Sequence, residues 1–193
     1  MIMTYYVLSY EVPQDENEGY LDLQDGLDFD GVDSWSLGQR FLAALPDPIE
    51  VDLVPVSGYR GEPSEMYDGN MCLMSDRLLS ALLACGVDNI DHYRAVLRNT
   101  DTGQTYGYRA VNIVGLVAAA DLAGSAWESH DGDARIDTSF DALVVDEGKA
   151  LGALMFRLAE STSTILVHAK VRDHLLSLDF PTLRFLVPSE WVT

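Results

Sequence analysis

Alternating hydrophobic and polar positions predict several short β-strands along the chain. The period of two that is typical of a half-buried strand appears in four segments of the first two thirds of the chain. They are Thr4–Val12, Ile49–Val56, Tyr93–Arg98 and Gln104–Val114. Residues 99–103 (Asn-Thr-Asp-Thr-Gly) predict a hairpin turn between the last two. Later strands are expected at Phe140–Asp146, Leu154–Leu158, Ser163–Ala169 and Leu183–Val187, the first two paired around Glu147-Gly148-Lys149.

Helical patterning is limited to short stretches. Ser75 is a candidate N-cap, Asp76 favours the first helical turn, and Gly86 supplies a left-handed stop. Between them, one apolar stripe is formed by Leu78, Leu79, Leu82 and Leu83. Further short helices are expected at Ser34–Leu45 and around Val171, Leu175 and Leu178. Loops are expected from residue 13 to Asp33 and over residues 57–70.

Short helices mixed with antiparallel hairpins predict an α+β fold with a mostly antiparallel sheet. The 193 residues fit a single domain over residues 1–193, with an acidic N-terminal part at about 1–65. A chain of this length buries a sufficient core without disulfides, and its two cysteines, Cys72 and Cys85, do not form a disulfide framework.

Net charge is the strongest compositional signal. Thirty-one acidic residues against twelve basic ones give a charge of −19. A surface this negative repels phosphate, so neither nucleic acid nor an anionic membrane is expected as a partner. A basic protein partner is favoured, since opposite charge steers association. A solubilising role of the acidic surface is the alternative.

The acidic residues are concentrated near the N-terminus. Residues 1–65 contain fourteen acidic and two basic residues, and residues 1–33 contain no lysine or arginine at all. This asymmetry predicts an acidic face or arm that contacts a partner. The predicted partner-binding residues are Asp22, Asp25, Asp28, Asp30 and Asp33. A solvated loop is the alternative interpretation.

Motifs for catalysis, metals or cofactors are weak or missing, so no cofactor, no metal site and no catalytic residue is predicted. Asp28, Asp30 and Gly31 match the middle of an EF-hand loop, but Gly26 and Leu37 replace its first and last ligands. The sequence contains no nucleophile elbow, P-loop or dinucleotide fingerprint. A Cys72–His130 pair stays open as a minor alternative.

Nothing in the chain predicts export or membrane insertion. The first residues have no positively charged n-region, and the longest apolar run, residues 113–120, is far too short to span a bilayer. We therefore expect a cytoplasmic protein.

An ordered set of motifs resembles a bacterial immunity-protein family, typified by a myxobacterial protein and first catalogued as a domain of unknown function. The motifs occur in family-like order over about residues 35–191. They are Trp35-x-x-Gly38, residues 74–78 (MSDRL), 86–90 (GVDNI) and 108–115 (YRAVNIVG), Asp121 with Ser125, 156–158 (FRL) and Pro188-x-x-Trp191.

This resemblance implies an α+β protein, not an enzyme, that protects a bacterium by binding a cognate toxin. It also implies that the motif residues are structural. Those residues are Trp35, Gly38, Ser75, Asp76, Gly86, Asn89, Tyr108, Asn112, Gly115, Asp121, Ser125, Phe156, Arg157 and Trp191. Asn112, a polar residue inside an apolar strand, is expected to hold a neighbouring loop, with a place in a binding site as the alternative. A chaperone or adaptor for a secreted effector, and an enzyme of unrecognised type, remain alternatives.

Overall fold

A computed structural model describes residues 4–11, 19–24, 27–129, 132 and 137–192. In these ranges the strands are β1 (Tyr5–Tyr10), β2 (Tyr20–Leu23), β3 (Ile49–Val56), β4 (Met66–Asp68), β5 (Cys72–Ser75), β6 (Ile90–Asn99), β7 (Thr105–Ile113), β8 (Leu116–Val117), β9 (Ala126–Glu128), β10 (Ser139–Ala142), β11 (Met155–Leu158), β12 (Ile165–His168) and β13 (Leu183–Leu186). The α-helices are α1 (Asp76–Cys85), α2 (Glu147–Ala150) and α3 (Ala169–Ser177). A 3₁₀ turn spans Pro188–Glu190. No helix in these ranges is long and apolar enough to cross a membrane.

The strands form two large sheets and a small ribbon. One sheet has six strands in the order β2-β3-β6-β7-β5-β4, and the other has five in the order β13-β1-β12-β11-β8. β9 and β10 pair separately. The pairs β3–β6 and β8–β11 are parallel, and the other strand pairs are antiparallel. The predicted α+β fold with a mostly antiparallel sheet is confirmed.

The main core lies where the two sheets meet α1 and α3. Leu78 and Leu82 of α1 and Val171 and Leu175 of α3 are buried there, together with apolar residues from both sheets. The helices are antiparallel, since Lys170 at the start of α3 donates from Nζ to the Cys85 carbonyl at the end of α1 (3.1 Å). This core covers one face of each sheet.

Two further clusters cover other faces of the sheets. One buries Val51, Leu53, Leu97 and Ala110 of the six-stranded sheet beneath the irregular segment 27–45. The other packs the outer face of the five-stranded sheet against residues that include Phe140, Leu143 and Ala150. One face of the β2-β3-β6-β7 part of the six-stranded sheet receives no such cover within the described ranges.

Helix α1 and the β6–β7 hairpin confirm the sequence prediction. Ser75 Oγ accepts from the Leu78 amide at 3.0 Å, and Gly86 ends the helix at φ 101°. Asn99 Oδ1 accepts from the Asp101 and Thr102 amides, which organises the turn that joins the two strands. The strand at Ile49–Val56 is also confirmed.

The helix predicted at Ser34–Leu45 is wrong, because this segment is bent and irregular. Trp35 is 5% exposed and makes edge-on contacts with Phe29, Phe41 and Tyr93, so the aromatic residues anchor the segment on the sheet. Contacts with the sheet thus replace the helical hydrogen bonds that the local pattern favoured.

Several strand predictions also need correction. β2 and β4 lie within segments predicted as loops, where Leu21 and Leu23 alternate with Asp22, and Met66 and Tyr67 are buried. The predicted pairing of Phe140–Asp146 with Leu154–Leu158 is wrong. β10 pairs with β9, and β11 pairs with β12 and β8. The turn predicted at residues 147–149 is part of helix α2, which is capped by Asp146. Pairing with other strands of the same chain outweighs the local turn signal.

Candidate functional site

One face of the β2-β3-β6-β7 part of the six-stranded sheet carries no apolar layer from the described residues. Along β3, Ile49, Val51 and Leu53 are buried, so the alternate residues point to the opposite side, where Glu50 is exposed. The strand registers place side chains from β2, β6 and β7 beside them. We call this surface the open face, formed by Asp22, Glu50, Asp52, Val54, Arg94, Val96, Arg98, Thr105, Gly107 and Arg109.

Arginines on the open face are held by carboxylates. Arg94 and Arg109 are directly opposite in the β6–β7 register, where two like charges repel. Each of these two arginines donates to a different aspartate, and a third arginine–aspartate pair lies further along the face. The pairs are Arg94 Nε with Asp47 Oδ1 (2.8 Å), Arg109 Nε with Asp76 Oδ1 (2.7 Å), and Arg98 Nε and Nη2 with Asp52 Oδ1 and Oδ2 (3.0 and 3.2 Å).

Asp22 and Glu50 differ from these carboxylates, because neither has an ion-pair partner among the described residues. Asp22 lies opposite Val54, and Glu50 lies four residues further along β3. Their backbones are therefore separated by about 13 Å along the strand direction. The open face thus has two free negative charges and three neutralised arginines.

A depression of about 440 Å³ borders the open face where β2 ends. The β2–β3 register covers Leu53–Val56, and the Gln24 amide donates to the Asp52 carbonyl beyond it (2.9 Å), so the described part of β2 ends before Glu50. The depression is lined by Gln24, Leu27, Glu50, Val51, Asp52, Val96, Arg98 and Thr105. Its lining combines apolar side chains with the charged Glu50, Asp52 and Arg98.

The structure does not bring the predicted partner-binding aspartates together. Asp22 is exposed on β2 between Leu21 and Leu23, which pack into the core. It lies close enough to Tyr10 and Tyr67 for an electrostatic interaction, so it lies at the β2 edge of the open face. Asp28, Asp30 and Asp33 are exposed on the segment that covers the opposite face of the sheet. Asp25 lies outside the described residues. None of the four described carboxylates has an ion-pair partner in the described structure.

Three motif residues join the covering segment to the end of β7. Gly38 has φ 68°, and its carbonyl accepts from the Gly115 amide at 2.8 Å. A Cβ on Gly38 would lie 2.8 Å from the Gly115 carbonyl carbon, so only glycine fits. Asn112 Nδ2 donates to the Gln39 carbonyl at 2.7 Å, so Asn112 holds the loop as expected.

Asn89 and Arg157 connect the two sheets. Asn89 Nδ2 donates to the carbonyls of Val114 and Met155, both at 3.1 Å. Arg157 is 2% exposed, yet it carries a charge in the space between the sheets. Its Nη1 and Nη2 donate to Asp68 Oδ2 and Oδ1 at 3.2 and 2.6 Å. Burial alone would lower the pKa of Arg157, but Asp68 reverses this and leaves the pKa raised, so the ion pair persists.

Other motif residues also stabilise local structure. Asp121 Oδ1 accepts from two amides of the following turn, and Ser125 Oγ accepts from the Val144 amide at 2.9 Å. Tyr108 donates to the Ser64 carbonyl at 2.5 Å, and burial raises its pKa. Phe156 is buried against Tyr5, and Trp191 Nε1 donates to Thr164 Oγ1 at 3.1 Å.

The described residues contain no group of three or more His, Cys, Asp or Glu side chains able to hold a metal. Cys72 and Cys85 are buried free thiols, and burial raises the pKa of Cys72, which keeps it protonated. His130 lies outside the described residues.

The open face was not predicted from the sequence, and neither were its residues Glu50 and Asp52 or the three arginines. The alternation in Ile49–Val56 does indicate which side chains point away from the core. It cannot indicate that no other element covers them. That depends on where the rest of the chain packs.

A family comparison matches the immunity protein family Imm11 over residues 8–188, which includes the open face, the covering segment and both sheets. The chain belongs to this family. The Imm11 match begins well before residue 35, where the resemblance was expected to start, so the last three residues of β1, all of β2 and the acidic segment lie inside it. No curated protein matches the chain. Membership in Imm11 indicates toxin neutralisation and leaves the toxin unspecified.

We predict that Asn112→Ala lowers the free energy of unfolding by about 1–2 kcal/mol, because the Gln39 carbonyl loses its donor. The affinity for the toxin should fall only by the amount that the smaller fraction of folded protein explains. Thermal melting and binding would be measured together. The control is Gln39→Ala, which removes an exposed side chain but keeps the carbonyl, and it should melt like wild type. Wild-type melting with lost binding would identify Asn112 as a contact residue instead.

Proposed function

We propose that this Imm11 protein binds a basic, cytoplasm-acting toxin such as a nuclease and blocks its active site or substrate groove. The observation that carries the proposal is the set of exposed carboxylates in the N-terminal part without cationic partners in the described structure. They are Asp22, Asp28, Asp30 and Asp33. They lie inside the region that matches the family.

Charge supports a cationic target. The free protein carries a net charge of −19, so its exposed carboxylates repel one another. A cationic partner relieves that repulsion and gains attraction, which mainly raises the association rate. Toxins that act on nucleic acid need basic grooves for phosphate, and an acidic protein can fill such a groove.

An effector-specific chaperone or adaptor is the second candidate, since the same surface could carry a toxin without inhibiting it. An enzyme of unrecognised type is less well supported. The described residues contain no group of three or more side chains able to hold a metal, both cysteines are buried, and burial raises the pKa of Cys72. The function that fits best is inhibition through binding.

The test uses the purified protein and the toxin encoded beside it. We expect a stable complex in which toxin activity is abolished, and cells expressing both proteins should survive. A non-cognate toxin of the same chemistry serves as the control and should stay active. A stable complex with full toxin activity would favour the adaptor, and no binding at any salt concentration would refute both.

A further inference from the structure

Resting on the proposed function, we propose that the toxin docks directly on the open face of the six-stranded sheet. The structure gives this surface three properties of a contact region: it is uncovered, rigid and partly unneutralised. The acidic covering segment on the other side would then steer the approach without forming the central contact.

Lack of cover is the first property. One face of the six-stranded sheet is buried beneath residues 27–45, and the β5 and β7 end of the other face packs on α1. Within the described ranges the rest of that second face has no apolar layer above it, and Val54 is 41% exposed. A partner that covers this face would shield Val54 and the half-buried Val96 from water.

Rigidity is the second property. β6 and β7 pair over nine residue positions, and β3 pairs with β6 over five. The three arginines are already fixed by carboxylates in the free protein, Arg98 through two hydrogen bonds to Asp52. Little side-chain entropy is therefore lost on docking, and arginine is enriched among residues that dominate binding energy.

The unpaired charges of the open face indicate which kind of partner surface would bind it. The three arginines are neutralised, so a partner does not need carboxylates to satisfy them. Asp22 and Glu50 are not neutralised by any described residue, and burying an unpaired carboxylate is costly. The complementary surface therefore presents two cationic side chains about 13 Å apart along the β3 direction. Between them, apolar or planar groups would cover Val54, Val96 and the arginine pairs.

Size indicates where the contact continues. The four strands span about 14 Å across, and their open-face residues run about 13 Å along the strands, so the area is well below the roughly 800 Å² that a standard interface buries on each partner. The depression beside Glu50 continues the surface toward Leu27, which is 39% exposed. A toxin that covers the open face would therefore extend into this depression.

Two substitutions on the open face test the proposal. Glu50→Lys reverses one free charge, and Thr105→Trp adds bulk at an exposed position opposite Arg98. Their matched controls are Asp141→Lys and Ser139→Trp, both at exposed positions of β10. Affinity for the toxin encoded beside this protein would be measured by calorimetry, with melting curves for every variant.

We expect each open-face variant to bind at least about tenfold more weakly, equivalent to about 1.4 kcal/mol, while each control stays within about twofold. If Thr105→Trp fails to fold, Glu50→Lys still decides, since Glu50 is exposed and unpaired in the described structure. Wild-type affinity in both folded open-face variants would refute the docking site and leave the proposed function intact. Failure of the wild-type protein to bind would refute the proposed function itself.

A second copy of the chain is the competing occupant. Light scattering of the free protein separates the two cases. We expect a monomer. A dimer that Thr105→Trp converts to a monomer would show that the open face pairs with itself and would overturn the toxin-docking proposal.

Discussion

Arg157→Met should lower the free energy of unfolding by about 3–5 kcal/mol, the largest single-residue effect that we predict for this protein. Removing one partner of a buried ion pair leaves the other charge uncompensated. Here Asp68, with a side chain that is 12% exposed, would lose both guanidinium hydrogen bonds. The Thr162 carbonyl would also lose its donor, now 2.8 Å from Nη1. Urea unfolding measures the difference.

Two controls identify the cause of the loss. The double variant Arg157→Met with Asp68→Leu should recover most of the stability, because an apolar pair can replace a buried ion pair. Arg98→Met breaks an exposed pair with Asp52 and should cost less than about 1 kcal/mol. If the double variant is no more stable than Arg157→Met alone, the arginine stem rather than the charge provides the stability.

Replacing Asp22, Asp25, Asp28, Asp30 and Asp33 together by asparagine should reduce the association rate with the toxin about tenfold at low salt. Replacing only Asp28, Asp30 or Asp33, which lie outside the open face, should matter little, since exposed charges contribute roughly 0–1 kcal/mol each. The effect should shrink as salt screens the charges. Stopped-flow or surface-plasmon kinetics at two salt concentrations would measure it, with circular dichroism to confirm the fold.

A charge-matched control separates local steering from overall charge. It replaces five exposed carboxylates elsewhere, none of which has an ion-pair partner in the described structure: Asp88, Asp101, Glu128, Asp141 and Glu190. Both variants lose five negative charges, so an equal fall in the association rate would mean that only net charge matters. An unchanged rate in the N-terminal variant, with full protection of cells, would refute the steering role.

Local signals in the sequence determined α1 and the β6–β7 hairpin. The cap at Ser75, the stop at Gly86 and the turn at Asn99 are satisfied by atoms a few residues away. Such interactions can be predicted without knowing the rest of the fold. The charge asymmetry and the ordered family motifs are also properties of the sequence alone, and they were sufficient to identify the family.

The tertiary structure decided which segments became irregular, which strands paired and which surface stayed uncovered. Residues 34–45 have a helical pattern, but Trp35 and Gly38 bind them to the sheet and to Gly115. β10 pairs with β9 rather than across the turn at Glu147. The open face depends on the placement of every other layer, because a side chain that points away from one core is exposed only if nothing else packs over it.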